Sequence, residues 1–77
     1  MSFVVQYEAF IHDRWRAVVR YDTAPRFAHK DVLHPDGSVD KQPLNFASLN
    51  LAFTFAVQDL KSLWQWYRYG YEKELQR

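Results

Sequence analysis

The sequence predicts an α+β fold: a small antiparallel sheet of three to four strands packed on one long C-terminal helix. Three observations predict it. Phe3–His34 is rich in β-branched and aromatic residues with a period of two, interrupted by turn residues. From Pro43 onward the period changes to the three-four spacing of an amphipathic helix. Strands that run out before a single helix begins indicate a sheet with one face covered by that helix. At 77 residues the chain has room for one core, so 1–77 reads as a single domain.

The first strand spans Phe3 to His12, with Val5, Tyr7, Ala9 and Ile11 on its apolar face and Gln6, Glu8, Phe10 and His12 opposite. The second spans Arg14 to Tyr21, with Trp15, Ala17, Val19 and Tyr21 alternating against Arg14, Arg16, Val18 and Arg20. Keeping both apolar faces together pairs odd residues with odd residues, which calls for a three-residue loop, His12-Asp13-Arg14, and sets Ile11 opposite Trp15. In that register Glu8 faces Val18, diagonal to Arg16 and Arg20. The trio reads either as a solvated cross-strand ion pair or, with Arg14, as a guanidinium plate for anions.

Asp22-Thr23-Ala24-Pro25 reads as a turn, and Phe27–His34 as a third strand ended by the turn His34-Pro35-Asp36-Gly37. Ser38–Gln42 makes a short polar edge strand. The helix starts near an Asn45 or Ser48 cap and carries Leu49, Ala52, Phe53, Ala56, Leu60, Leu63, Trp64, Tyr67, Tyr71 and Leu75 in its stripe. Leu51, Phe55, Trp66 and Tyr69 fall outside that stripe, on faces one sheet cannot cover. A helix from Ser48 to Leu75 is about 40 Å long at 1.5 Å per residue. It either ends or bends near Gly70 or packs its overhang on a second subunit, and the second arrangement is the one expected here.

Composition narrows the function. There is no cysteine, hence no disulfide, thiolate ligand or thiol nucleophile, and the chain is compatible with the cytoplasm. Six Phe, five Tyr and three Trp are many large rings for one small core to hide, so a homodimer or small protein partner is expected. A net charge of +1 argues against a strongly basic nucleic-acid binder, and no apolar run reaches membrane-spanning length. Two glycines exclude a dinucleotide fingerprint, and no serine has a triad-like context.

The chemistry-bearing stretch is His29-Lys30-Asp31 with His34. On a strand, His29 and Asp31 project from one face and Lys30 and His34 from the other. If His29 and Asp31 share the arginine face, they form an acid/base pair beside guanidinium groups, suited to metal-free phosphodiester cleavage. If Lys30 and His34 share it, the face is a cationic plate for a phosphate backbone. The sequence leaves the choice open. A metal set of His29, Asp31 and His34 has no second shell, and no cofactor is expected.

The phrases VVRYDTA, AHKDVLHPDG and DLKSLWQWY resemble a family of small bacterial proteins of unknown function, over about Arg14 to Tyr67. More distantly they are similar to minimal toxins encoded beside a helix-turn-helix antitoxin. That similarity implies a ribonuclease-like activity neutralised by an antitoxin, and carries over to Arg20, Tyr21, Asp22, His29 and either Lys30 or Asp31. The leading expectation is therefore a toxin-like, metal-independent ribonuclease acting on RNA. Its catalytic residues would be His29, Asp31, Arg20, Tyr21 and Asp22, with Arg14, Arg16, Lys30 and His34 binding substrate. The alternative is a non-catalytic dimeric interaction module whose interface holds Leu51, Phe55, Trp66 and Tyr69.

Overall fold

A computed structural model describes residues 2–23 and 27–76. Four strands, β1 (Val4–Ile11), β2 (Arg14–Asp22), β3 (His29–Leu33) and β4 (Val39–Pro43), form an antiparallel meander in the order β1-β2-β3-β4, followed by helix α1 (Leu49–Leu75). The expected α+β architecture is the one observed. Of the turn expected at Asp22-Thr23-Ala24-Pro25, Asp22 is the last residue of β2, and Ala24 and Pro25 lie outside the described residues.

The β1–β2 hairpin differs from expectation in an instructive way. Its turn has two residues, His12 and Asp13, at φ 52° and 65°, and it pairs Ile11 with Arg14 and Phe10 with Trp15. Both positive φ values match the primed turns whose twist suits a hairpin. The parity problem is solved elsewhere: a bulge shifts the register between Tyr7, opposite Val19, and Glu8, opposite Ala17. Val18 is the extra residue, and Val18 and Val19 are both fully buried. Beyond the bulge odd pairs with odd as expected. On the turn side the faces exchange, so Trp15 points outward at 67% exposure, against the ring of Phe10 at a 5.4 Å centroid separation.

The second turn follows its sequence. Gly37 N–H donates to the His34 carbonyl at 3.0 Å, Ser38 N–H donates to Asp36 Oδ1 at 2.8 Å, and Gly37 takes φ 90°. A left-handed residue after a type I turn is where glycine costs nothing. At α1, Ser48 is the N-cap and accepts from Leu51 N–H at 3.3 Å. The helix runs unbroken through Gly70.

The core joins Ala9, Ile11, Val18, Val19 and Tyr21 of the sheet to Ala56, Tyr67 and Tyr71 of α1. On one flank of α1, Phe53 meets Phe3 and Trp64 meets Tyr7, both edge to face. Among the described residues, the α1 backbone packs against β1 and β2 and against neither β3 nor β4. The reason is width: four strands at 4.7–4.9 Å spacing span about 19 Å, whereas one helix with its side chains spans about 10–12 Å. One helix covers half of this sheet.

Candidate functional site

Cross-strand pairing decides which face each expected site residue takes. Arg20 lies opposite Asp31, and Asp22 opposite His29, so these four share the sheet face turned away from α1. The arginine plate does not form. Arg14 and Arg16 pair with Ile11 and Ala9, on the helix side of the hairpin end, because the Val18 bulge reverses the faces between Arg16 and Arg20. The Arg16 guanidinium donates to the Ile11 carbonyl at 2.9 Å. The Glu8 arrangement changes as well: Glu8 accepts from Gln6 Nε2 at 2.7 Å, and Arg20 Nε donates to Gln6 Oε1 at 2.8 Å, so a glutamine stands between the acid and the arginine.

His29 Nε2 lies 3.7 Å from Asp31 Oδ2, and Lys41 Nζ lies 3.9 Å from Asp31 Oδ1, an oxygen with no hydrogen-bond donor. His29 is only 4% exposed and Asp31 8%. An acid/base pair needs hydrogen-bond reach to its substrate, and these two are closed to solvent. His34 lies on the opposite face from His29 and Asp31, so the three do not converge. Among the described residues no group of three or more His, Cys, Asp or Glu is placed to hold a metal ion.

Tyr21 and Lys30, expected beside the catalytic group, point instead into the sheet–helix junction. The Tyr21 and Tyr67 hydroxyls both donate to Asp59 Oδ2, the latter at 2.5 Å. Lys30 Nζ donates to the Tyr67 hydroxyl, lies 3.5 Å from Asp59 Oδ2 and sits 4.6 Å from the Tyr67 ring centre. Burial opposes ionisation of Asp59, but the two hydroxyls and the Lys30 ammonium outweigh it and hold its pKa below the ordinary value. Burial and then the hydrogen bond to Asp59 push both tyrosines up, Tyr21 strongly. This network ties β2, β3 and α1 together. Asp59 was not singled out from the sequence. Its signal was there: it falls between Ala56 and Leu63 on the apolar stripe, where an acid needs a buried partner.

The open side of the molecule lies beside β3. Leu51, Phe55, Trp66 and Tyr69 occupy an arc of about 60° on α1 at 3.6 residues per turn. Leu51 is 52%, Trp66 67% and Tyr69 61% exposed. Phe55 differs from expectation: it is half-buried by its own chain, between Tyr21 at 6.3 Å and Phe46 at 5.2 Å. A cleft of about 290 Å³ opens between Val32 and Leu33 of the sheet and Trp66, Gly70 and Glu74 of the helix. A Cβ built on Gly70 would meet nothing within 4 Å, so the helix wall here is bare. His34, immediately after β3, closes the end of the cleft by reaching Glu74 of α1 and Asp40 of β4.

Residues 1–77 match, over their whole length, a family described as a domain of unknown function, DUF7718. The chain belongs to that family. No curated protein and no solved structure matches it. For this DUF7718 member the open flank is the candidate functional site, because it is where residues singled out from the sequence are both together and accessible. Among the described residues no helix is long and apolar enough to cross a membrane.

Proposed function

We propose that this chain is a non-catalytic protein-interaction module that dimerises by seating a second copy on the uncovered half of its sheet. The observation that carries the reading is that the α1 backbone lies over β1 and β2 and not over β3 or β4, so that on the helix side β3 is reached only through side chains such as Lys30, and the adjoining flank of α1 stays exposed. On that face the sheet offers Val32 beside Lys30, Gln42 and Asp40, and the apolar area comes from the exposed rings on the flank of α1. The surface agrees. The chain exposes 5426 Å², against about 5,000 Å² for a compact monomer of this mass.

A second copy fits the area the flank offers. With 67% of Trp66, 61% of Tyr69 and 41% of Phe46 exposed, and aromatic side chains burying 150–250 Å² each, the three leave roughly 350 Å² in water. A two-fold contact counts that twice, roughly 700 Å². A standard interface of about 1,600 Å² holds about 900 Å² of non-polar area, so these rings supply most of it and Leu51 adds to them. Gly70 lets a facing backbone approach closely. The ribonuclease reading has His29, Asp31 and Arg20 on one face in its favour, but the burial of His29 and Asp31 speaks against it.

Light scattering over a dilution series tests the reading. The wild-type chain is expected to be a dimer at micromolar concentration, and Trp66→Lys with Leu51→Lys to be a folded monomer, since both side chains are solvent-exposed in the single chain. A wild-type chain monomeric at 100 μM, a concentration on the order of weak association limits, would overturn it.

A further inference from the structure

His34 stands where the turn, the sheet and the helix meet. Its Nδ1 lies 2.9 Å from Glu74 Oε2 on α1, and its Nε2 lies 2.8 Å from Asp40 Oδ2 on β4. A neutral imidazole has one N–H and one bare nitrogen, so it donates to one carboxylate and turns a lone pair toward the other. Both contacts form together only on the imidazolium. The side chains are 21% exposed for His34, 42% for Glu74 and 68% for Asp40, so their importance lies in position rather than strength. His34 and Glu74 line the apolar cleft, and the same two border a hollow of about 380 Å³ with Pro35, Asp36 and Ser38. The contact therefore bridges the last turns of α1 and the end of β3 at the mouth of the cleft.

We propose that His34 is a protonation-controlled clip that, as imidazolium, ties the C-terminal turns of α1 to β3 and β4 and holds the cleft at the width that receives the second copy. This inference rests on the dimer reading above and adds its regulation. The titratable group facing the ring is acidic on every side: Glu74 from α1, Asp40 from β4, and Asp36 from the turn, whose charge interacts with the ring. The hydrogen bond to Glu74, then that to Asp40, raises the His34 pKa above its ordinary 6.5, against the smaller opposing effect of burial. A group whose folded pKa is raised contributes fully below its unfolded value and loses that contribution as pH rises through the folded one. The clip therefore requires a ring pKa higher in the dimer than in the free chain, and a dimer strongest on the acid side of the raised His34 pKa, down to about pH 4, where the carboxylates themselves protonate.

The test combines an NMR titration of the His34 ring with the dimer Kd measured by sedimentation between pH 6 and 9.5. His34→Gln serves as the control for His12, His29 and the N-terminus. The wild-type Kd is expected to rise about fivefold or more as His34 deprotonates, a coupling of ordinary allosteric size. In His34→Gln the Kd is expected to be flat. Glu74→Gln and Asp40→Asn, each removing one arm on exposed ground, are each expected to lower the ring pKa and shrink the pH effect. A dimer whose Kd ignores the titration, or a ring titrating at or below 6.5, overturns the clip alone. A chain monomeric at every pH overturns the dimer and the clip with it.

Discussion

Replacing Asp59 with alanine is expected to cost this fold a quarter or more of its stability. Lys30 Nζ and Asp59 Oδ2 are 3.5 Å apart, with side chains 13% and 11% exposed. At an effective dielectric constant of about 20, unit charges at that separation attract by roughly 5 kcal/mol, most of which offsets their desolvation. Removing one partner of a buried pair leaves the other charge uncompensated, at about 3–5 kcal/mol. The Tyr21 and Tyr67 hydroxyls lose their acceptor in the same substitution. A 77-residue chain has about 4–12 kcal/mol in all, at 0.05–0.15 kcal/mol per residue. Urea unfolding followed by tryptophan fluorescence is the assay. With a slope near 1 kcal/mol per molar, the midpoint is expected to fall by about 3 M. Lys30→Met combined with Asp59→Ala is expected to restore part of the loss, because no lone charge then remains. The wild-type chain should also lose stability as pH falls through the depressed Asp59 pKa, a contribution present above the unfolded carboxylate value near 3.9 and absent from Asp59→Ala. A midpoint shift below about 0.5 M, or single substitutions that simply add in the double variant, would refute the network.

Two further outcomes are expected. Asp13→Gly should stabilise the fold by about 0.5–1 kcal/mol, since Asp13 holds φ 65° in the hairpin turn, where glycine has no steric penalty; a calorimetric melting point unchanged or lowered would contradict the turn geometry. Production of the chain alone in a bacterial host should leave growth unaffected. Arrest that His29→Ala relieves would restore the ribonuclease reading and remove the non-catalytic one.

The helix was legible almost to the residue, since its stripe and the Ser48 cap are local signals that tertiary packing had no reason to override. The hairpin was half legible. Parity along β1 held, but a bulge can restore parity at any position, and nothing local to Val18 marks it as the extra residue. That one residue moved Trp15 outward and separated Arg14 and Arg16 from Arg20. Surplus aromatic residues were legible as a number, and Leu51, Trp66 and Tyr69 were placed correctly on the uncovered face. Phe55 was not, because its neighbour Phe46 lies in an irregular segment whose path no periodicity reveals. The polar network escaped because the partners of Lys30 lie 29 and 37 residues away, at Asp59 and Tyr67, and such a pairing is set by where the helix crosses the sheet.

For the proposed assembly, the β4 edge is a poor site. β4 presents an unpaired edge, but it is five residues long, exposed throughout and closed by Pro43, with Asp40 and Lys41 along it. Short, charged, proline-ended strands are poor templates for strand addition. The helix-side face of β3 next to it carries Val32 at the floor of the apolar cleft, with Trp66 on the wall. A net charge of +1 gives two copies almost no long-range repulsion to overcome. At that face the Lys30–Asp59 pair is already satisfied within its own subunit, so a second copy docking as proposed would meet the exposed rings of α1, with Asp40, Gln42 and Glu74 at the rim, rather than an unpaired buried charge.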